Sequence, residues 1–395
     1  MHTSLVDDGV FSAELRLLLA LVRPESPKAQ AADASGLEGQ IDWQLFGRLV
    51  RHHRLFPYLQ HRIKNGSASG IPEDVLRELR LDYRQNVIQM LHLSGEMALV
   101  GRALEEAGIR CIFLKGPVVA HELYGDIALR TSNDLDAIVP IGELDAVQRL
   151  LQRMGYIKDD YILSVLNDWK WRHHHITFIH PLKRVKLEIH WRLNPGPSKE
   201  PAFDELWARS RLRTWTSYPV RMLGAEDLFL FLASHGARHG WSRLRWLLDI
   251  DRMARGELAA DTLVPLLKRN HLRDVGGQAL ALAKGLLGTA IPPALAPLAE
   301  RPKAAKLARG AMFYIGRMVN LHNKPLPPDV DRYHKRHLFE AMSAYHKMLF
   351  LLSFLFPYPQ DTQTLPLPRS LHVLYFPLRP LLWIWRKARR QEYPA

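Results

Sequence analysis

Arg-Thr-Ser-Asn-Asp-Leu-Asp-Ala-Ile-Val, at residues 130–139, is the stretch of sequence on which the fold depends. Its apolar second half predicts a strand. Successive side chains of a strand point to opposite faces, so Asp134 and Asp136 should project from the same face. Mg²⁺ prefers oxygen ligands, and two ions roughly 3.5–4 Å apart can clamp the attacking and leaving oxygens of a phosphoryl displacement. We therefore predict a metal site at Asp134 and Asp136.

A second strand with a polar face is predicted at residues 185–191. Apolar residues alternate there with Lys186, Glu188 and His190, which places those three on one face. Residues 176–180 should form its hairpin partner, with the turn at residues 181–184. Glu188 then supplies a third carboxylate to the predicted metal site, and His190 lies on the same face either as a group that supports the metal ligands or as a contact for substrate.

The segment between Cys111 and Tyr124 predicts a buried strand, a tight turn and a helix. Gly116 would make the turn, and Pro117 suits the first turn of a helix, where a missing N–H costs nothing. The helix N-terminus favours an anion, to which Lys115 would add a full charge and Arg130 a planar donor fork. The alternative is a surface turn with two solvated cations.

In their order along the chain, these residues resemble the nucleotidyltransferase superfamily typified by DNA polymerase beta, and in particular a bacterial group of uncharacterised nucleotidyltransferases. Residues 244–250, Leu-Arg-Trp-Leu-Leu-Asp-Ile, are similar to that group's C-terminal helical part. The resemblance covers roughly residues 75–255. It departs from the superfamily where the usual Gly-Ser loop is replaced by Lys-Gly-Pro at residues 115–117.

This resemblance implies transfer of a nucleoside monophosphate from an NTP, ATP being the first expectation, with release of pyrophosphate. Two Mg²⁺ ions, or Mn²⁺ in their place, would bind Asp134, Asp136 and Glu188, which are the implied catalytic residues. The implied nucleotide-binding residues are Lys115, Gly116, Arg130 and His190. The acceptor stays open among a small metabolite, a sugar, a peptide natural product and a protein.

The expected architecture is α+β. A small mixed β-sheet core at residues 109–220 would lie between an N-terminal helical section at 1–108 and a C-terminal helical domain at 221–330. We predict helices at residues 12–22, 43–62, 74–108 (broken once), 117–124, 141–154 and, in several pieces, 225–287. His173, His174 and His175 lack the spacing of a metal site and predict a polar loop near the cleft. His235 and His239 share a helical face, for which packing and a nucleotide contact are both open.

Composition indicates a folded intracellular enzyme. The chain has 395 residues, 47% of them hydrophobic, and a single cysteine, which excludes an internal disulfide. It has no apolar run of about 18 residues and no signal-like N-terminus, so we expect a cytoplasmic protein. P-loop, dinucleotide-binding and nucleophile-elbow motifs are missing from the sequence.

Most of the net charge of +14 comes from residues 301–395, which hold 16 Lys and Arg against 5 Asp and Glu. There, at residues 331–395, a basic, aromatic-rich tail carries apolar runs at 348–356 and 371–385 and then a basic cluster at 386–390. The tail is expected to pack on the helical domain or to extend from it, and its many prolines favour short helices buried against the protein. Peripheral binding to an anionic membrane is the second alternative, and nucleic acid is disfavoured because the aromatics are mixed with aliphatics. A catalytically silent binding protein using this tail is the alternative to an enzyme.

Overall fold

The computed structural model describes residues 11–23, 41–65, 70–256, 258–321, 323 and 325–388. Its centre is a mixed sheet in the order β3-β4-β5-β2-β1-β7-β6. The strands are β1 (Ile112–Phe113), β2 (Asp134–Ile138), β3 (Ile157–Lys158), β4 (His175–His180), β5 (Val185–His190), β6 (Arg211–Arg213) and β7 (Val220–Met222). With helices around this sheet, the predicted α+β class is confirmed.

The pairing of β2 with β5 sets the geometry of the molecule's polar face. The two strands run parallel, with Asp134 opposite Lys186 and Asp136 opposite Glu188. Between these polar positions, Leu135 and the other alternate side chains point into the apolar core. Burial of one face fixes the register, because a slip of one residue would turn every carboxylate inward. The predicted hairpin of β4 and β5 is present, in antiparallel register from His175–His190 to His180–Val185.

The N-terminal helices differ from their predicted bounds in two places. They are α1 (Ala13–Val22), α2 (Trp43–His52), α3 (Phe56–Lys64) and α4 (Glu73–Glu106). The predicted helix at 43–62 is divided at Arg54, whose φ of 55° is incompatible with a continuous helix. Conversely, α4 runs through Ser94 and Gly95 without a break. A buried stripe continues at helical spacing on both sides of those residues, so packing overrides the weak local propensity: Met90, Leu93, Met97, Val100 and Leu104.

Helices and turns connect the strands. The predicted helix after Gly116 is α5 (Pro117–Tyr124), and the predicted helix at 141–154 is a 3₁₀ turn (Ile141–Glu143) followed by α6 (Leu144–Arg153). Gly116 has a φ of 78°, which a side chain would resist, so glycine is required at this exit from β1. Two short helices complete this part, α7 (Trp169–Arg172) and α8 (Phe203–Arg209).

The remaining described residues are almost entirely helical. They form α9 (Ala225–Arg238), α10 (Leu244–Arg255), α11 (Ala260–Arg269), α12 (Arg273–Leu287), α13 (Ala296–Ala299), α14 (Pro302–Gly316), α15 (Pro328–Ala341), α16 (Ala344–Ser353), α17 (Pro359–Thr364), a 3₁₀ segment (Arg369–Leu374) and α18 (Tyr375–Ala388). One buried cluster joins side chains from Phe11 to Ile315, so the N-terminal helices, sheet and C-terminal helices share a core. Within the described part of the chain, no helix is long and apolar enough to cross a membrane.

Candidate active site

Three carboxylates and two lysines meet on the polar face of β2 and β5. Lys115 Nζ lies 2.8 Å from Asp136 Oδ1, and Asp136 is fully buried. Lys186 Nζ lies 2.5 Å from Glu188 Oε1 and 3.8 Å from Asp134 Oδ2. The structure therefore brings together all three carboxylates predicted from the sequence.

His190 belongs to this carboxylate cluster. Its Nε2 lies 3.2 Å from Asp136 Oδ1 and 3.7 Å from Glu188 Oε2. One ligand atom from each of Asp136, Glu188 and His190 lies within 4.8 Å of the other two. Asp136 Oδ2 is buried and has no hydrogen-bond partner among the described residues. A buried carboxylate oxygen without a partner is costly, so this donor set fits a divalent cation.

The pKa values within the cluster are pushed apart. Burial, followed by the charge of Asp136, raises the pKa of Asp134. For Asp136 the burial that would raise its pKa is outweighed by Lys115 and by the hydrogen bond to His190, so that pKa is lowered. For Glu188 burial is likewise outweighed, chiefly by His190 and His175, and its pKa is lowered. Asp136 and Glu188 are thus held ionised, whereas the anionic form of Asp134 is disfavoured. This is expected for a site at which a bound cation would neutralise the excess negative charge.

Two further histidines line the same cluster. Although the sequence predicted only a polar loop, His175 is the first residue of β4, and its Nε2 lies 3.8 Å from Glu188 Oε2. The His174 and His175 rings lie 5.3 and 5.1 Å from that of His190. Burial, with the charge of His190, lowers the pKa of His175 to about 4 and that of His174 further. Their contact with His190 depends on the β4–β5 register, which no local spacing in the sequence reveals.

Lys115 and Gly116 lie where β1 meets α5. Leu114 N–H donates to the Asp136 carbonyl over 2.8 Å, which fixes the end of β1 against β2. Gly116 is the N-cap of α5 and packs beside the backbone of Asp134. The positive end of the α5 dipole and the Lys115 ammonium therefore lie next to the carboxylates, a suitable place for phosphate.

Arg130 makes its hydrogen bonds to a side chain outside the carboxylate cluster, although its charge interacts with Asp136. Its Nε and Nη2 donate to Asp249 on α10 over 2.9–3.1 Å, and Tyr124 donates to the same carboxylate over 2.8 Å. Only Nη1 of this buried guanidinium lacks a hydrogen-bond partner among the described residues. Most of the Arg130 side chain is thus engaged in structure, and its predicted nucleotide contact stays a prediction that concerns Nη1 alone.

Other arginines near the site were not predicted from the sequence. Arg238 on α9 donates to His174 and to His235, each over 3.3 Å, and interacts electrostatically with Glu188. Burial lowers its pKa to about 10. Arg245 on α10 is buried, donates to the Thr131 carbonyl, and burial also lowers its pKa. Arg54 is mostly buried and interacts with Asp134. The only sequence signal for any of them is the position of Arg245 within residues 244–250.

His235 and His239 pack on Trp246, with ring centroids 5.3 and 5.4 Å away. Burial and the nearby charge of Lys115 lower the pKa of His235, so this histidine is neutral. Packing, one of the two roles left open by the sequence, is therefore present. A nucleotide contact stays a prediction.

The profile of a family described as uncharacterised nucleotidyltransferase matches residues 39–288, which include every residue of this site. The chain belongs to that family. As a nucleotidyltransferase it is a transferase that acts on phosphorus groups, and the family implies a nucleoside triphosphate substrate. No curated protein and no solved structure matches the chain.

Proposed function

We propose that this nucleotidyltransferase is metal-dependent and transfers a nucleoside monophosphate from an NTP, with ATP as the first candidate, to an acceptor hydroxyl or phosphate. The acceptor oxygen forms a bond to the α-phosphorus, the bond from that phosphorus to the bridging oxygen breaks, and pyrophosphate leaves. The observation that carries the proposal is the buried Asp136 oxygen without a partner, beside Glu188 and His190.

Asp134, Asp136 and Glu188 are the proposed metal ligands and catalytic residues, and His190 Nε2 is a fourth donor on the same face. These donors fit two Mg²⁺ ions, and the imidazole also suits Mn²⁺. When bound, the metal supplies charge neutralisation at the transferring phosphoryl group and orients the reacting oxygens. Glu188 is our candidate to accept the acceptor's proton.

Lys115, Gly116 and the N-terminus of α5 form the proposed phosphate-binding element. Lys115 pairs with Asp136 in this structure. Neutralisation of the Asp136 carboxylate by a metal ion would leave the Lys115 ammonium available to phosphate. Arg238 and the Nη1 atom of Arg130 add positive charge around the same face. Because phosphoryl transfer depends mostly on positioning and charge neutralisation, we expect these cations to contribute as much as any base.

Acceptor identity is the part of the proposal that experiment must supply. We would incubate the protein with each α-labelled NTP, Mg²⁺ or Mn²⁺, and fractions of bacterial metabolites, peptides and proteins. Pyrophosphate release, together with acceptors heavier by one nucleotide, is the expected result. The control is Glu188→Gln, which should release none. Equal release by that variant, or the lack of any NTP binding by the parent, would overturn the proposal.

The clustered acids also bear on the alternative of a catalytically silent binding protein. Such a protein would have no use for Asp134 beside Asp136, because burial and the neighbouring charge make the ionised form of Asp134 unfavourable. The presence of this cluster supports catalysis over silent binding.

A further inference from the structure

Within the C-terminal tail, residues 344–388 expose an unusual amount of apolar surface. Large hydrophobic side chains elsewhere are mostly in the shared core, whereas the tail exposes them in every one of its longer segments. On α16 and just beyond it the exposed set is Met348, Leu351, Leu352, Phe354 and Leu355; on the 3₁₀ segment and α18 it is Leu371, Val373, Leu374, Phe376, Leu381, Trp383, Ile384 and Trp385. The structure thus differs from the predicted buried helices. A contiguous apolar surface of this kind marks a binding site.

The polarity of α18 is inverted relative to a helix that packs on a protein core. Two of its three charged residues, Arg379 and Arg386, face inward, where both pair with the buried carboxylate of Asp361 on α17 over 2.5 and 2.8 Å. Its apolar residues face outward, with Leu381 64% and Ile384 56% exposed. A helix that turns arginines inward and apolar side chains outward is built for an apolar environment outside the protein.

The first tail helix has the same inverted arrangement. His346 and Ser353 of α16 are buried, while Met348, Leu351 and Leu352 are exposed. Phe354 and Leu355, just beyond α16, line one groove of about 370 Å³ together with Phe376 and Trp383 of α18, so exposed apolar side chains of the two segments meet there. The Phe356 and Phe376 rings, 5.1 Å apart, join the two segments internally.

Positive charge surrounds this apolar surface. Arg369 and Lys387 are exposed beside it. The sequence adds Arg389 and Arg390, which lie outside the described residues, and across residues 341–395 Asp361 and Glu392 are the acidic side chains. Asp361 is already neutralised by its two arginines. Aliphatic and indole side chains bordered by Arg369 and Lys387, which form no ion pair with another described residue, match the interface of a bilayer that contains anionic lipid.

We propose that residues 344–388 are a membrane-docking surface by which the protein lies on an anionic lipid bilayer. The outward side chains of α16, the 3₁₀ segment and α18 enter the headgroup boundary, and Arg369 and Lys387 contact lipid phosphates. A second copy of the chain fits less well, because a twofold interface through the same surface would bring these cations together. The proposal does not depend on the catalytic chemistry.

Vesicle binding by the full chain tests this proposal. The parent protein should sediment with vesicles of phosphatidylglycerol and phosphatidylcholine, much less with phosphatidylcholine alone, and less as salt rises. The Leu381→Ser, Ile384→Ser double variant should lose this binding. Its matched control is Ile88→Ser, Leu91→Ser, since that pair on α4 has the same i, i+3 spacing and similar exposure, at 69% and 59%. The control should bind like the parent, and both variants should keep the parent's Tm.

A second variant tests the electrostatic part. Arg369→Glu, Lys387→Glu should weaken partitioning onto anionic vesicles by about tenfold or more, because each basic residue near such a surface contributes about fivefold. Failure of the parent to bind either vesicle would overturn the proposal, as would full binding by the Leu381 and Ile384 variant. A stable dimer without vesicle binding would assign the surface to a second copy instead.

Discussion

Asp134 differs from the other two carboxylates in that its ionised form is unfavourable in the folded protein. Burial and the charge of Asp136 raise its pKa, so the folded state binds a proton more tightly there than the unfolded state does. The contribution of protonated Asp134 to the free energy of unfolding is present at low pH and is lost as the pH rises through the pKa of Asp134 in the folded state. At neutral pH the Asp134 charge therefore opposes folding, which is reasonable only if a ligand compensates for it.

We accordingly predict opposite effects of Asp134→Asn with and without ligand. Without metal, the variant should melt about 1–2 °C higher than the parent at pH 7, since a repulsive charge is gone. With Mg²⁺ and ATP, the parent should be stabilised and the variant should not. Thermal melting with and without ligand measures both effects. A variant that melts lower without metal would contradict the proposed role.

Lys115 should bind the phosphate groups of ATP rather than its nucleoside part. Lys115→Ala should weaken ATP binding by about 1.5–3 kcal/mol, the range for a charge-assisted hydrogen bond, and should change adenosine binding little. Calorimetric titration with both ligands gives the comparison. Lys158→Ala is the control, because Lys158 pairs with Asp160 at a distance of 2.7 Å outside the cluster. Equal losses for ATP and adenosine would indicate a folding defect.

At the scale of elements, α10 holds the loop that leads into β2. Asp249 binds Arg130 and Arg245 binds the Thr131 carbonyl, so residues 244–250 fix the approach to the carboxylate strand. The sequence contains this motif, but its structural role depends on two long-range contacts. Arg130 and Asp249 are separated by 119 positions in the sequence, and Thr131 and Arg245 by 114. No local pattern predicts such contacts.

The features that the sequence did predict depend on local patterns of residues rather than on long-range contacts. Alternation of polar and apolar residues is enough to place Asp134 with Asp136 on one face, and Lys186 with Glu188 and His190 on another. The parallel pairing of those faces, and the addition of His174, Arg238 and Arg54, require packing of separate elements. The tail was mispredicted as buried because prolines and apolar runs do not show which way a helix turns its charged residues.

The Arg130–Asp249 pair gives a prediction about α10. Asp249→Asn should destabilise the fold by about 3–5 kcal/mol, since it leaves a buried guanidinium without its counter-charge. The double variant Arg130→Met, Asp249→Leu should recover much of that loss. Urea unfolding of the parent, Arg130→Met, Asp249→Leu and the double variant measures the coupling. If the recovered double variant also binds ATP like the parent, Arg130 does not contact the nucleotide.

At the scale of the whole molecule, Arg172 at the end of α7 connects the tail to the sheet. It pairs with Asp168 over 2.7 Å, donates to the carbonyls of Ser353, Phe356 and Pro357, and stacks on Tyr358 at 3.8 Å. The Arg172 side chain thus holds the residues between α16 and α17 against the segment that leads into β4.

Removing this connection should loosen the tail but leave the core intact. In Arg172→Gln, amide exchange at residues 353–361 should accelerate by about tenfold or more, because hydrogen bonds to a charged donor are lost. The Tm should change little. Arg102→Gln is the control, since Arg102 makes an exposed ion pair with Glu106. Unchanged exchange in the tail would show that Arg172 does not hold it.

Arg172 also precedes His174 and His175 by only two and three residues, so the tail is attached beside the histidines that line the active site. A protein resting on lipid through the tail would therefore keep its catalytic cleft at a constant height above the bilayer. Acceptors embedded in that bilayer would meet the cleft by lateral diffusion in two dimensions, at an effective concentration far above their average in the cell. Water-soluble acceptors would gain nothing from this arrangement. If the tail binds vesicles as proposed, lipid-linked acceptors should therefore be included among the candidates incubated with labelled NTP.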